Sequence, residues 1–222
     1  MDDNPNWRPD RRSFLTTAGG LGLAATAGCS ELLFGDAAEF EASPSRVPSA
    51  VLADTGYELD EHSEQVIERS FEVGDQSRDV VVTNKLAEYQ KAVDLGPLGE
   101  GEAAIFTSLT TPQVEVLGQE FNPVEDMSTA DLAEMIQDQY DEIGNLRREE
   151  EGDVIINGEA TTQTKFRADG GFDGSPVDIF VHVSEAVEMG DDFVVTVGAY
   201  PELTPAEAEN IIAMMEAVEP DS

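Results

Sequence analysis

Basic residues are what this 222-residue chain has least of. Twelve Lys and Arg stand against 47 Asp and Glu, a formal net charge of −35, and the only lysines are Lys85, Lys91 and Lys165. Nucleic acid is held through Lys and Arg contacts to phosphate, so a surface of this sign excludes it as a partner. An anionic membrane face offers such a surface no attraction either. Cysteine occurs once, at Cys29, so no disulfide framework can form within the chain. There is no N-x-[ST] sequon, P-loop, dinucleotide fingerprint, HExxH or CxxC, and no G-x-S-x-G elbow. Only two histidines are present, His62 and His182, too few for a histidine-based metal site.

What is present begins with RRSFLTTAGGLGLAATAGC, residues 11–29. Arg11-Arg12 followed by Phe14-Leu15 has the twin-arginine export pattern. The apolar run behind it, residues 15–27, is diluted by glycine and is shorter than the roughly 20 apolar residues of a spanning helix. A basic n-region, a short apolar h-region and small residues before a cut are the order of a signal peptide. The run ends in Thr26-Ala27-Gly28-Cys29, which resembles a lipobox, in which the cysteine thiol takes a lipid and the preceding peptide bond is cleaved. Two lipid chains on Cys29 would anchor the protein stably at about 0.8 kcal/mol per buried CH₂. The alternative, an ordinary N-terminal helix with a buried cysteine, does not account for the order and spacing of these residues.

The expected organisation is a signal peptide over 1–28, a lipidated tether over 29–44 and one domain over 45–220. Cleavage removes three basic and three acidic residues, so the remaining chain keeps its −35. The carboxylates are spread along the domain and not gathered in one tail. Dispersed in this way they read as adaptation of a folded protein to molar salt, where the Debye length is about 3 Å and self-repulsion is screened.

The apolar periodicity predicts strands over 64–73, 78–93, 103–109, 114–117, 177–187 and 193–200. Asn157-Gly158 between extended runs predicts a two-residue hairpin. A helix is predicted over 128–143, with Ser128 and Asp131 at its start, a stripe of Leu132, Met135, Ile136, Tyr140 and Ile143, and Gly144 as its stop. A second is opened by a Thr204-Pro205-Ala206-Glu207 capping box and buries Ala208, Ile211, Ile212, Met215 and Val218. Strands, helix, strands, helix define an α+β class, an antiparallel sheet packed with two amphipathic helices.

The stretch KAVDLGPLGEGEAAIFTSLTTPQVEVLGQEFNPVEDMS, with VHVSEAVEMGDDFVVTVGAYP downstream, resembles an uncharacterised family of halophilic archaeal surface lipoproteins exported by the twin-arginine route. That resemblance spans about residues 40–219 and implies an exterior address without implying a reaction. By element order alone the chain also resembles the PsbP/Mog1-like sandwich, whose members are mostly accessory or binding proteins; no motif carries over.

Candidate chemistry is sparse. Asp178, Phe180, His182 and Ser184 share one face of a strand, but at about 3.3 Å per residue Asp178 and His182 stand about 13 Å apart, too far for a triad. His182 therefore reads as a half-buried strand histidine, and His62 as an exposed loop histidine among carboxylates. Asp169-Gly-Gly-Phe-Asp173-Gly174 begins like a calcium loop, yet Gly171 and Phe180 occupy positions that need oxygen ligands, so a turn is the better reading. Glu149-Glu150-Glu151 and Asp191-Asp192 read as solvated edges and turns, with Arg147-Arg148 forming a surface ion pair. Met127, Met135, Met189, Met214 and Met215 read as core filler or element ends. The expectation is a membrane-anchored, exterior-facing binding or accessory module that needs no metal or cofactor. It is held to the membrane through Cys29 and has an envelope protein as its possible partner. A carboxylate-dependent hydrolase is the alternative, and a solute-binding lipoprotein would need a second lobe.

Overall fold

Long β-branched runs separated by two-residue turns fold back on one another, and this chain does so repeatedly. The computed structural model describes residues 37–221, apart from 74, 75, 117, 118, 121, 123, 140–142, 173 and 174. The export segment 1–28, the lipobox, Cys29, Asp173 and Gly174 lie outside the described residues. The elements in order are β1 (Ala38–Glu41), β2 (Ser45–Arg46), α1 (Ser49–Thr55), β3 (Glu58–Val73), β4 (Gln76–Asp94), a 3-10 turn (Gly96–Leu98) and β5 (Glu100–Pro112). They continue with β6 (Glu115–Val116), β7 (Gln119–Glu120), α2 (Thr129–Gln139), β8 (Gly144–Ile156), β9 (Glu159–Phe172) and β10 (Ser175–Ser184). Last come β11 (Val187–Met189), β12 (Asp192–Pro201), α3 (Glu207–Glu216) and β13 (Glu219–Pro220).

The main sheet runs β3-β4-β5-β12-β10-β9-β8, antiparallel at each of these steps. Two short strands fill gaps beside longer ones: β11 pairs with the start of β12, and β1 pairs with residues 80–83 of β4. The β1–β4 pairing is parallel, which corrects the expected purely antiparallel sheet to a mixed one. It also places a strand inside the segment read as tether. Among the described residues three helices form where two were expected. The missed one, α1, carries signals at both ends, Pro48 before it and Gly56 in a left-handed conformation (φ 78°) after it.

Both faces of the sheet are covered. On one, Tyr89, Phe106, Val194 and Tyr200 pack against Ile211, Met214 and Met215 of α3, with α1 alongside. On the other, Phe166, Val181, Val183 and Val195 pack against Leu132 and Ala133 of α2. Of the predicted α2 stripe, Leu132 is buried and Ile143 packs against the same core, Ala133 is buried as well, and Met135 is 43% exposed and is not core filler; Tyr140 lies outside the described residues. Ser128 caps α2 as expected, its Oγ donating to the Asp131 carboxylate at 2.6 Å while the Asp131 N–H donates back at 3.3 Å. The Ser128 hydroxyl and then the Ser128 N–H, which donates to the same carboxylate at 3.0 Å, hold the Asp131 carboxyl below its usual range. The second capping box does not form. Thr204 donates to the Pro201 carbonyl at 2.9 Å, α3 begins at Glu207, and Glu207 turns inward to Lys91 at 2.7 Å.

Both edge strands are charged and bulged. β3 carries Asp60, Glu61, Glu64 and Glu68 with a register shift at 59–61; β8 carries Arg147, Arg148 and Glu149 to Glu151 with shifts at 144–150. Charges and bulges on an edge prevent pairing with another chain, which explains the acidic runs without a site. The Asn157-Gly158 hairpin joins β8 to β9 with both residues at positive φ (51° and 84°), as a type I′ turn requires.

Helix α3 approaches the sheet closely at Gly198, where a Cβ would lie 2.5 Å from Cγ2 of Ile211. Gly198→Val is therefore expected to destabilise by about 1–3 kcal/mol through overpacking. Denaturant unfolding in high salt checks this, and adding Ile211→Ala should give a double variant that loses less than the sum of the two singles.

Candidate functional site

The polar groups under α3 and the open end of β12 are the two places where this fold gathers chemistry. Along β10 the even-numbered residues face α3, so Phe180, His182 and Ser184 enter the covered side together. His182 is 3% exposed, more deeply buried than the half-buried histidine expected. Its Nδ1 meets Gln163 Oε1 at 3.1 Å and its Nε2 meets the Tyr200 hydroxyl at 3.2 Å. Burial, and then the charge of Lys165, lower its pKa to about 4. The Tyr200 hydroxyl is pushed up to about 12, by burial first and then by the Glu207 charge. Nearby, Tyr57 is 2% exposed, and its hydroxyl meets no hydrogen-bond partner among the described residues. Burial and the adjacent Glu207 raise its pKa. Ser184 accepts from the Thr196 N–H at 3.0 Å and bonds the Thr196 hydroxyl at 2.9 Å, so it is engaged within the sheet.

The expected grouping of Asp178, His182 and Ser184 on one strand face is present but is not a working set. Asp178 is exposed and accepts from Arg167 at 3.3 Å, while His182 binds Gln163 and Tyr200 instead. Arg167 also pairs with Glu149 and, through two nitrogens, with Glu202. The Glu202 carboxyl is thereby lowered and the guanidinium raised. Lys165 Nζ lies 3.8 Å from the Phe180 ring centroid, with Arg167 at 4.9 Å over the same ring. His62 is exposed as expected, but on strand β3 and not in a loop. Asp169 accepts from Asn145. Asp192 is buried and accepts from the Ser43 N–H at 3.0 Å, so it is a structural acceptor and not a solvated turn residue. Arg148 pairs with Glu151. Among the described residues no three His, Cys, Asp or Glu gather as a metal would need.

The open site arises because the central strand stops early. The last β12–β5 pair is Ala199 with Ile105, yet β5 begins at Glu100; Pro201 is the last β12 residue paired with β10, at Ile179, yet β10 begins at Ser175. The start of β5 and the β9–β10 hairpin thus project past β12 and leave a notch between them. It is an open groove of about 260 Å³, lined by Ile105, Ile143, Phe172, Val177, Ile179 and Ala199 among others, with Glu102 its one carboxylate among the described residues. Ile105 is 45% exposed. Two glycines shape the notch. A Cβ on Gly101 would lie 2.5 Å from the Phe172 ring, and one on Gly170 would lie 2.9 Å from Ile179 Cγ2. Read along the chain, both fall within apparent turn punctuation, LGPLGEGE and DGGFDG; the signal missed was that these glycines sit inside strands and admit large neighbours. Two larger depressions of about 460 and 380 Å³ lie along β1, β3 and β4. The first is lined by Glu68, Arg69 and Asp79 among others, and Lys85 crosses the second, held by Glu41 and Glu64 at 2.6 and 2.5 Å.

Residues 44–219 match the DUF6517 model, a domain of unknown function, and the chain belongs to that family. No protein of curated function matches the sequence. Among solved structures the chain is similar to PA94, a protein of unknown function from Pseudomonas aeruginosa, at 13% identity and a TM-score of 0.36, over 70% of this chain and 98% of that one. It is also similar to LpqN, involved in cell envelope biogenesis of Mycobacterium tuberculosis, at 7% identity and a TM-score of 0.29, over 81% and 99%. Likeness at this level carries no functional argument. No helix among the described residues is long and apolar enough to cross a membrane.

The buried histidine makes a pH prediction. Folded His182 titrates near 4 and an unfolded histidine near 6.5, so between these values the unfolded chain binds the extra proton. Its contribution is fully present above about pH 6.5 and falls by roughly 3 kcal/mol as pH drops toward 4. Unfolding curves of wild type and His182→Gln in high salt should diverge over that window, the variant losing less stability on acidification.

Proposed function

We propose that this chain is an exported, lipid-anchored binding module that faces the exterior and performs no reaction of its own. We further propose that it receives an apolar side chain of an envelope protein in the notch beyond β12. The observation that carries the reading is the notch itself, which is open and largely apolar. Its volume lies below the roughly 300–1,000 Å³ of drug-sized ligand pockets, and such a shape suits an anchoring side chain better than an enclosed small molecule. A carboxylate-dependent hydrolase would need two carboxylates about 5–9 Å apart across a pocket, and among the described residues the notch lining offers Glu102 alone. The imidazole of His182 is already engaged by Gln163 and Tyr200 under α3. The lipid anchor rests on Arg11-Arg12, Phe14-Leu15 and Thr26-Ala27-Gly28-Cys29. On this reading the acidic surface is the adaptation that keeps the module folded and soluble in concentrated salt.

Two measurements test this. Cys29→Ser should move the protein from the membrane fraction of high-salt cells into the medium; retention on the membrane would remove the anchor from the account. For the notch, a photo-crosslinking residue at Ile105 in the full chain, irradiated in intact cells, should capture a defined envelope protein, and Gly101→Val should reduce that yield several-fold. Equal capture from a crosslinker at Leu203, which is 58% exposed outside the notch, would contradict the assignment.

A further inference from the structure

Strand direction determines which end of this domain meets a membrane that holds its N-terminal side. β1 runs parallel to β4, with Ala38 beside Val80, and the antiparallel β3–β4 hairpin closes at Val73 and Gln76. Traced backward from Ala38, β1 therefore heads toward the β3–β4 hairpin end of the sheet. β4, β5 and β12 alternate in direction, so β12 runs with β4 and ends at Pro201, at the opposite end. The notch lies there. On β4 the level of Ala38 is Val80, and the level of the notch is Lys91, which pairs with Ala104 of β5. Eleven strand residues at about 3.3 Å separate them by about 36 Å.

From these directions we infer that the anchored domain stands on the bilayer by its β3–β4 hairpin end and holds the notch outward. What enters the notch then comes from the exterior medium and not from bilayer lipid. The inference rests on the lipid-anchor reading. Cys29 precedes Ala38 by nine residues, whose full extension is at most about 32 Å. An inverted stance, with the notch on the bilayer, would lift Ala38 about 36 Å above it, beyond that reach. Lying on an edge strand would press the carboxylates of β3, or Glu149 to Glu151 of β8, against headgroup phosphates. The upright stance keeps Ala38 within reach, and at the hairpin end Glu68, Glu72 and Asp79 are interspersed with Arg69 and Arg78.

Cys29 is the only native cysteine and is consumed by the lipid, so an introduced thiol is unique in the mature protein. Ser70→Cys reports the hairpin end and Glu102→Cys the notch; both positions are exposed, and Glu68→Cys is a second hairpin reporter. Each full-length lipoprotein is labelled with a fluorophore in native membrane vesicles doped with a headgroup-nitroxide lipid. The Ser70 and Glu68 labels are expected to be quenched several-fold more than the Glu102 label. Equal quenching, meaning a domain lying flat, or stronger quenching at Glu102 overturns the orientation while leaving the anchor intact. Failure of the unlabelled protein to sediment with the vesicles overturns the anchor reading, and this inference with it.

Discussion

The domain depends on one strand being denied water from both sides. β12 is flanked by β5 on one side and by β10 and β11 on the other, and nearly all of its residues are buried. Val194 and Tyr200 lie in the core under α3, and Val195 and Ala199 in the core under α2. Such a strand tolerates polar atoms only when each is paired, because an orphaned buried donor or acceptor costs about 1–3 kcal/mol. Thr196 finds Ser184, and Tyr200 finds His182. Gly198 has no Cβ because Ile211 occupies that space. The rest of the molecule follows from enclosing this strand: α3 with α1 above, α2 below, and charged strands pushed outward to the two edges.

The same constraint separates chemistry from function. Groups that look catalytic in the chain, such as His182 and Ser184, lie where the enclosed sheet needs polar partners, and they are occupied in holding strands and helices together. The carboxylates that dominate the composition are spread over the edge strands β3 and β8, the turns, the helices and the exposed positions of other strands, most of them in contact with water or salt. On the proposed reading, recognition falls to the place where enclosure ends. β12 stops at Pro201 while its neighbours continue, and apolar side chains that would have met the strand face solvent instead.

The sequence made the local elements legible and left the long-range ones obscure. Asn157-Gly158 announces its hairpin because that turn needs positive φ at two adjacent residues. Ser128 with Asp131 announces α2, because the cap is formed by side chains three residues apart. The parallel β1–β4 pairing was not legible, since AEFE alternates over only four residues and its partner lies about forty residues away. The second capping box misled because Glu207 has a competing partner, Lys91, supplied by a distant strand. The notch was invisible for a related reason. It is made by strands of unequal length meeting through tertiary pairing, and its glycines look like turn glycines until the register is known.

The central claim, that β12 is the strand on which the fold is built, is tested most directly by native-state hydrogen exchange of the full chain in high salt. Amides of Val194 to Ala199 should exchange only through global unfolding, with a denaturant dependence matching that of the whole domain, while the outward-facing amides of β3 exchange orders of magnitude faster. If the β12 amides exchange as readily as those of β3, or open in a local event that leaves α3 and β5 protected, the account is contradicted.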